Sequence, residues 1–211
     1  MTRTLYYLFD PLCGWCYGAT PAVTYLRNTT NVVVQPLPTG LFSGDGASVM
    51  DDDFAAYAWS NDQRIQSMTG QPFTEKYRAN VLANRQQLFD SGNATAALTA
   101  VALTEREREL EALSAIQKAR YVDGLDVTSQ ATLVGILQLL ELEEAASLFV
   151  SSSEALHAHI QARASHAQAL MQAHGARGVP TFIAETEGGI QLLQNSAIYH
   201  DPQALSRMLT D

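Results

Sequence analysis

Cys13 and Cys16 are the only two cysteines of the chain, and Gly14-Trp15 separates them. The short apolar run Thr4–Phe9 precedes them and predicts a buried strand. Apolar residues at helical spacing follow them as far as Leu26. The cysteine pair is therefore expected where a strand passes into a helix.

A thiol at this place has a defined chemistry. The first turn of a helix carries unpaired backbone N–H groups and a partial positive charge, which stabilise a thiolate. The thiolate is the species that attacks a disulfide. Cys13 and Cys16 lie one turn apart on one helix face, so they can close or open a disulfide. We expect Cys13, at the exposed start of the helix, to attack and Cys16, one turn further in, to resolve.

Two segments of the chain resemble a known family. Cys13-Gly14-Trp15-Cys16 after a strand, with Pro21 in the helix that follows, is similar to the active-site segment of thioredoxin-fold oxidoreductases. Gly178-Val179-Pro180-Thr181-Phe182 is similar to the segment that carries the cis-proline facing the cysteines in that family. The long helical stretch between them resembles the DsbA family and, within it, the FrnE-like branch. Tyr121–Val127 is also similar to that branch.

The resemblance implies a fold and a domain arrangement. The fold is of the α/β class, a thioredoxin-like fold with a mixed sheet, a cis-proline loop and a large all-helical insertion. Residues 1–40 and 175–211 would form the thioredoxin-like domain, and residues 41–174 the helical insertion domain. A chain of 211 residues suits one such core with an insertion.

The resemblance also implies roles around the cysteines. With Pro180 cis, the Val179 backbone would face the cysteines and pair with an extended peptide as an added strand. The intervening dipeptide is Pro-His in DsbA and the uncharged Gly14-Trp15 here, so we expect a less oxidising couple. Asp10-Pro11 closes the first strand, and a nearby Asp10 would disfavour a thiolate.

A base for Cys16 is not obvious from the sequence. The strand position that carries a buried carboxylate in thioredoxin is occupied here by Tyr7. His200 and Glu185 are candidates by residue type alone. Gly70-Gln71-Pro72-Phe73 is either part of a substrate cleft or an ordinary turn between helices.

The leading hypothesis is a thiol-disulfide oxidoreductase that oxidises, reduces or isomerises protein disulfides. A glutathione-dependent transferase or isomerase of the kappa or chromene-carboxylate type is the alternative, although those enzymes usually have serine at the first cysteine position. A non-catalytic peptide-binding or redox-sensing protein is the third. A zinc site would need two further ligands, for which His174 and His200 lack the usual spacing. Two buried, inert cysteines fit poorly with a helix start.

Composition limits the partners. With 13 Lys and Arg against 22 Asp and Glu, the net charge is −9, which disfavours nucleic acid and anionic membranes. We expect protein thiols and disulfides, or glutathione as co-substrate, as partners of a monomer or homodimer, with no cofactor and no metal. No signal-peptide pattern precedes the first strand, and two cysteines in one motif favour a reducing compartment, so a cytoplasmic location is expected.

Several local patterns predict element boundaries. Val32–Leu37 is a continuous apolar run and predicts a central parallel strand. Thr104–Glu107 and Ser151–Glu154 match capping boxes, each of which would open a helix. Gly188-Gly189 predicts the turn of a hairpin whose first strand follows Pro180.

Overall fold

The structure, a computed structural model, describes residues 3–29, 32–194 and 196–210. The strands are β1 (Arg3–Phe9), β2 (Val32–Pro38), β3 (Ser48–Val49), β4 (Leu88–Phe89), β5 (Thr181–Thr186) and β6 (Gly189–Leu193). The helices are α1 (Gly14–Thr29), α2 (Asp52–Thr69), α3 (Glu75–Tyr77), α4 (Gly92–Thr104), α5 (Glu109–Tyr121), α6 (Gln130–Leu139), α7 (Glu143–Ser151), α8 (Glu154–Ala173) and α9 (Ala204–Thr210). A π-helical turn, Arg78–Leu82, directly follows α3.

A four-stranded mixed sheet in the order β2-β1-β5-β6 forms the centre of the fold. β1 is parallel to β2 and antiparallel to β5, and β5 is antiparallel to β6. Because successive strand residues face opposite sides, β1 divides its apolar residues between two layers. Leu5, Tyr7 and Phe9 join the large core that includes α1 and α9, and Leu8 packs with Ala167 of α8. This mixed sheet between helices is the predicted thioredoxin-like arrangement.

The prediction that β2 is a central strand is wrong. It pairs in parallel with β1 but lies at the edge of the sheet, because β5 takes the other side of β1. Its first residues are accordingly half-buried or exposed, with Val33 at 52% exposure, and only its last residues, from Pro36 onwards, are buried. The end of β2 is apolar because α8 covers it, with Leu37 packed against Ala167.

The segment between β2 and β5 is helical apart from the two-residue ladder of β3 and β4, which the sequence did not indicate. Its buried apolar residues, apart from Ala167, belong to the same cluster as Leu5, Tyr7 and Phe9 of β1. The division into a thioredoxin-like domain and an insertion domain stays a prediction.

One predicted capping box is wrong and the other is displaced. Thr104 ends α4, where its hydroxyl donates to the Ala100 carbonyl, and α5 begins five residues later without a side-chain cap. For α8 the N-cap is Ser153, whose hydroxyl accepts from the Leu156 N–H at 3.2 Å. The predicted hairpin is confirmed, but its two-residue turn is Glu187-Gly188, and Gly189, at φ +108°, begins β6.

Candidate active site

Cys13 and Cys16 lie at the N-terminus of α1. The Cys13 N–H donates to the Asp10 carbonyl at 3.1 Å, which closes the turn between β1 and the helix. The Cys16 N–H donates to the Cys13 Sγ at 3.4 Å, so a backbone donor of the first turn points at that sulfur. Both cysteines are free thiols, with Cys13 at 7% exposure and Cys16 fully buried. Cys13 is thus the less buried of the two thiols, although it is not exposed as expected, and the attacking and resolving roles stay predictions.

The Val179-Pro180 segment faces Cys13. The peptide bond between these two residues is cis, and the Cys13 thiol donates to the Val179 carbonyl oxygen at 3.7 Å. Pro180 is buried and Val179 is half-buried. An open groove follows the segment; its walls include Arg177, Thr181 and Leu192, which is 42% exposed.

Asp10 is fully buried and bound by three donors. Its Oδ1 accepts from the Leu12 N–H at 2.9 Å, and its Oδ2 accepts from the Phe42 N–H at 3.0 Å and from the Ser91 hydroxyl at 2.8 Å. Burial raises the pKa of Asp10, while these bonds and the charge of Arg120 act in the opposite direction. Asp10, with the buried Pro11 after it, thus fixes the loop that presents Cys13.

The environment of Cys16 disfavours its thiolate. Burial is the largest cause that raises the pKa of Cys16, followed by its contact with Cys13, and the charge of Asp10 acts in the same direction. Tyr7 reaches this residue as well, because its hydroxyl donates to the Cys16 carbonyl at 3.2 Å. Cys16 is therefore held as a protonated thiol behind Cys13.

Trp15 and Gly14 contact residues that no sequence motif indicates. Tyr199 packs edge-on against Trp15 with ring centroids 5.0 Å apart, and the Arg64 guanidinium lies 5.8 Å from the centre of the Trp15 ring. Asp62 of α2 lies against Gly14. No spacing pattern could have indicated these contacts, because they depend on how distant elements pack.

The two bases suggested by residue type are placed elsewhere. Glu185 lies at the end of β5 away from Pro180 and accepts from the Tyr6 hydroxyl at 2.9 Å. His200 is exposed. The Gln71 side chain donates to the Tyr17 carbonyl, and buried Phe73 packs on the Tyr17 ring, which brings that turn against α1 next to Cys16.

Two searches of residues 3–29, 32–194 and 196–210 gave negative results. No cluster of three or more His, Cys, Asp and Glu side chains in these ranges is arranged to hold a metal ion. No helix in the same ranges combines the length and the apolar character needed to traverse a bilayer.

Residues 4–198 match the DSBA-like thioredoxin domain. The chain belongs to the DSBA-like thioredoxin family. The fold and the family resemblance predicted from the two motifs are thereby confirmed. No curated protein matches the sequence.

Solved structures of DSBA-like proteins superpose over nearly the whole chain. The cytosolic disulfide reductase DsbM from Pseudomonas aeruginosa is 30% identical with a TM-score of 0.87, covering 97% of this chain and 96% of its own. A structure of DsbM with GSH is 31% identical at a TM-score of 0.84 with the same coverage. DsbA from Pseudomonas aeruginosa, at 14% identity and a TM-score of 0.55, covers 99% of this chain and 81% of its own and shares the fold. This DSBA-like chain is a disulfide oxidoreductase.

Proposed function

We propose that the chain reduces disulfides through Cys13 and Cys16 and takes its electrons from glutathione. The asymmetry of the two thiols supports this proposal best. Cys13 is the outer thiol and receives an N–H from the first turn of α1, whereas Cys16 is fully buried behind it. This arrangement provides one nucleophile for the substrate and one thiol that attacks only from within.

The reaction proceeds by thiol-disulfide exchange. The Cys13 thiolate attacks one sulfur of the substrate disulfide, a mixed disulfide forms, and the other substrate sulfur leaves as a thiolate. Cys16 then loses its proton and attacks the Cys13 sulfur, which releases the second substrate thiolate and closes the Cys13–Cys16 disulfide. Two glutathione thiols reopen this disulfide in turn, and one molecule of glutathione disulfide leaves.

The backbone at Val179 is the proposed seat of the substrate. Its carbonyl oxygen lies 3.7 Å from the Cys13 Sγ, at the margin of the open groove next to Pro180. An extended peptide that pairs with the Val179 backbone would bring its disulfide to Cys13 with little demand on sequence. The small tripeptide glutathione fits the same backbone donor and acceptor.

Three observations support the reducing direction. DsbM, at 30% identity over 97% of this chain, is named a cytosolic disulfide reductase, and one of its structures is with GSH. Burial, and to a smaller extent the neighbouring Cys13 and the Asp10 charge, disfavour a thiolate at Cys16, which favours the disulfide form of the pair. The uncharged Gly14-Trp15 adds no cation to stabilise the dithiol form. We extend the proposal to a reducing, cytosolic setting on the same grounds.

The buried resolving thiol also argues for exchange over conjugation. A glutathione transferase needs one nucleophile and no second thiol beneath it. Here the backbone N–H of Cys16 already contacts the Cys13 sulfur, so the second thiol is one turn from the first. We therefore favour the oxidoreductase hypothesis over the transferase hypothesis.

The test is equilibration of the wild type with glutathione buffers of defined ratio, followed by alkylation and mass spectrometry. We expect an intramolecular disulfide with a potential near that of thioredoxin, about −270 mV. With iodoacetamide at neutral pH, we expect Cys13 to react at least about tenfold faster than Cys16. The Cys16→Ser variant should accumulate a mixed disulfide with glutathione, and the Cys13→Ser variant should not.

Two outcomes would contradict the proposal. A potential near about −120 mV would indicate an oxidant instead. Failure to form an intramolecular disulfide at any buffer ratio would exclude the exchange mechanism and return the transferase hypothesis to first place.

A further inference from the structure

Helix α2 packs closely on α1 beside the cysteines. A Cβ added to Gly14 would lie 2.5 Å from the Oδ1 of Asp62 and 3.2 Å from the Cδ1 of Ile65. A Cβ added to Gly18, one turn further along α1, would lie 2.7 Å from the Cγ2 of Ile65. The two glycines thus let a carboxyl group of α2 approach the first turn of α1, at the residue that follows Cys13.

Asp62 is an unusual neighbour for that turn because it is a carboxyl group at only 5% exposure. Its Oδ2 accepts from the Tyr77 hydroxyl at 3.0 Å, and the buried Arg120 guanidinium lies 5.4 Å from the centre of the Tyr77 ring. Burial raises the pKa of Asp62 to about 7, against the lowering effects of Tyr77 and Arg120. The carboxyl group therefore changes its charge in the neutral range.

The charges of Asp62 and Cys13 act on the same small region. Tyr121 of α5 lies beside both, since its hydroxyl donates to the Leu12 carbonyl at 2.7 Å, directly before Cys13. Burial is the largest cause that raises the pKa of Tyr121, and negative charge on Asp62 and on Cys13 acts in the same direction. The groups that face Asp62 are thus Tyr77 from α3, Arg120 and Tyr121 from α5, and the first turn of α1.

We propose that Asp62 is a positioning residue whose carboxylate charge makes the Cys13–Cys16 pair more reducing. Thiolate exists only in the reduced form of the pair, and a second negative charge at the same helix N-terminus destabilises that thiolate. The charge therefore favours the disulfide and strengthens the dithiol as a reductant. This inference rests on the proposed function and attributes part of the reduction potential of the Cys13–Cys16 pair to a residue of α2.

The experiment compares Asp62→Asn with Asp53→Asn. Asparagine keeps the shape of Asp62 and an oxygen that accepts from Tyr77, but it removes the charge. Asp53 is an exposed carboxyl in the first turn of the same helix, so its replacement changes the net charge equally without touching α1. The readout is the equilibrium constant of the cysteine pair with reduced and oxidised glutathione between pH 6 and 8.5.

At pH 8 we expect Asp62→Asn to shift that constant about tenfold towards the dithiol, which is about 30 mV more oxidising. The shift should shrink towards pH 6, because wild-type Asp62 is then mostly protonated. Asp53→Asn should stay within about twofold of the wild type, since Asp53 is exposed and lies nine residues before Asp62 in α2, where solvent and salt screen its charge.

The possible failures are distinguishable. A wild type that forms no disulfide contradicts the proposed function, whereas a normal wild type with an unchanged Asp62→Asn constant overturns only this inference. Should Asp62→Asn not fold, the wild type alone decides through the pH profile of Cys13 alkylation. Two coupled groups give a rise in two steps with one near pH 7, and a single-step rise overturns the inference.

Discussion

At the scale of single residues, Asp10, Asp62 and Glu109 are carboxyl groups buried with different partners. Asp10 has three hydrogen-bond donors, Asp62 has the Tyr77 hydroxyl, and Glu109 has an ion pair with Arg163. Burial raises the pKa of all three, to about 7 for Asp62 and for Glu109. The free energy of unfolding therefore depends on the protonation state of each of these carboxyl groups.

The first prediction concerns Asp62 and stability. Its pKa rises from 3.8 to about 7 on folding, so its contribution is fully present below about pH 4 and is lost as the pH rises to 7. Between these limits we expect the wild type to lose up to about 4 kcal/mol of unfolding free energy relative to Asp62→Asn. Urea titrations of both proteins from pH 4 to 8 measure this, and parallel curves would contradict it. Glu109 contributes a similar pH dependence of stability to both proteins, so its effect cancels in the comparison.

The site residues that could be identified from the sequence are those that lie close together along the chain. Asp10 and Cys13 lie between β1 and α1, and Cys16 lies in the first turn of α1, so their proximity follows from their closeness in sequence. Asp62 lies 48 positions from Gly14 in sequence and was missed, because its contact with Gly14 depends on how α2 packs against α1. The suggested base Glu185 was chosen by type, and strand register places it at the wrong end of β5.

At the scale of elements, the approach of α2 to α1 sets the geometry beside the cysteines. Gly18 meets Ile65 where any larger residue would clash, whereas Gly135 in α6 has open space around it. Replacement by alanine should therefore have opposite effects on stability at these two helical glycines.

The second prediction uses that pair of glycines. Gly18→Ala should cost about 1–3 kcal/mol, because the new methyl group overpacks the interface with Ile65. Gly135→Ala should stabilise by about 0.5–1 kcal/mol, because alanine restricts the unfolded chain and clashes with nothing. Thermal unfolding of both variants gives the comparison; equal changes of the same sign would show that α2 yields to the methyl group.

Element boundaries were less predictable than elements. The serine cap of α8 was recognised by type but placed two residues early, because three serines in a row offer equivalent hydroxyls and only the chain path selects Ser153. Thr104 carries the residue type of a cap, yet its hydroxyl bonds back to its own helix. Both errors arise where side chains can satisfy two backbone groups.

At the scale of the whole molecule, Arg163 of α8 joins the helical segment to the sheet. Its guanidinium donates to the Pro36 carbonyl of β2 at 2.9 Å, to the Thr99 hydroxyl of α4 at 3.1 Å and to Glu109 of α5. Glu109 has only 2% exposure, so this ion pair is shielded from water.

The third prediction removes this connection. Arg163→Met leaves Glu109 buried without its cation and should cost about 3–5 kcal/mol at pH 8. The cost should fall at pH 5, because Glu109, with a pKa of about 7, is then protonated. Arg78→Met removes an exposed pair with Glu75 and a cation–π contact with Trp59, and it should change stability by no more than about 1 kcal/mol. Denaturant titrations at both pH values decide it; an equal loss at pH 5 and pH 8 would contradict the role of Glu109.

The overall architecture was predictable because two motifs at opposite ends of the chain belong to one fold. The strand order was not, since an apolar run such as Val32–Leu37 indicates coverage and not which side of β1 remains for β5.

The pairing of β1 with β5 determines how late in synthesis β1 gains its second neighbouring strand. Leu8 pairs with Thr181 and Thr4 with Glu185 of β5. Because β5 is followed in sequence by β6 and α9, it leaves the ribosome near the end of synthesis. Cys13 and Cys16 are thus exposed on the nascent chain long before Val179 arrives to cover them. At about 5–20 residues per second, this interval lasts roughly 10–30 s. During this interval both cysteines are accessible without the groove that Val179 and Pro180 later form beside them.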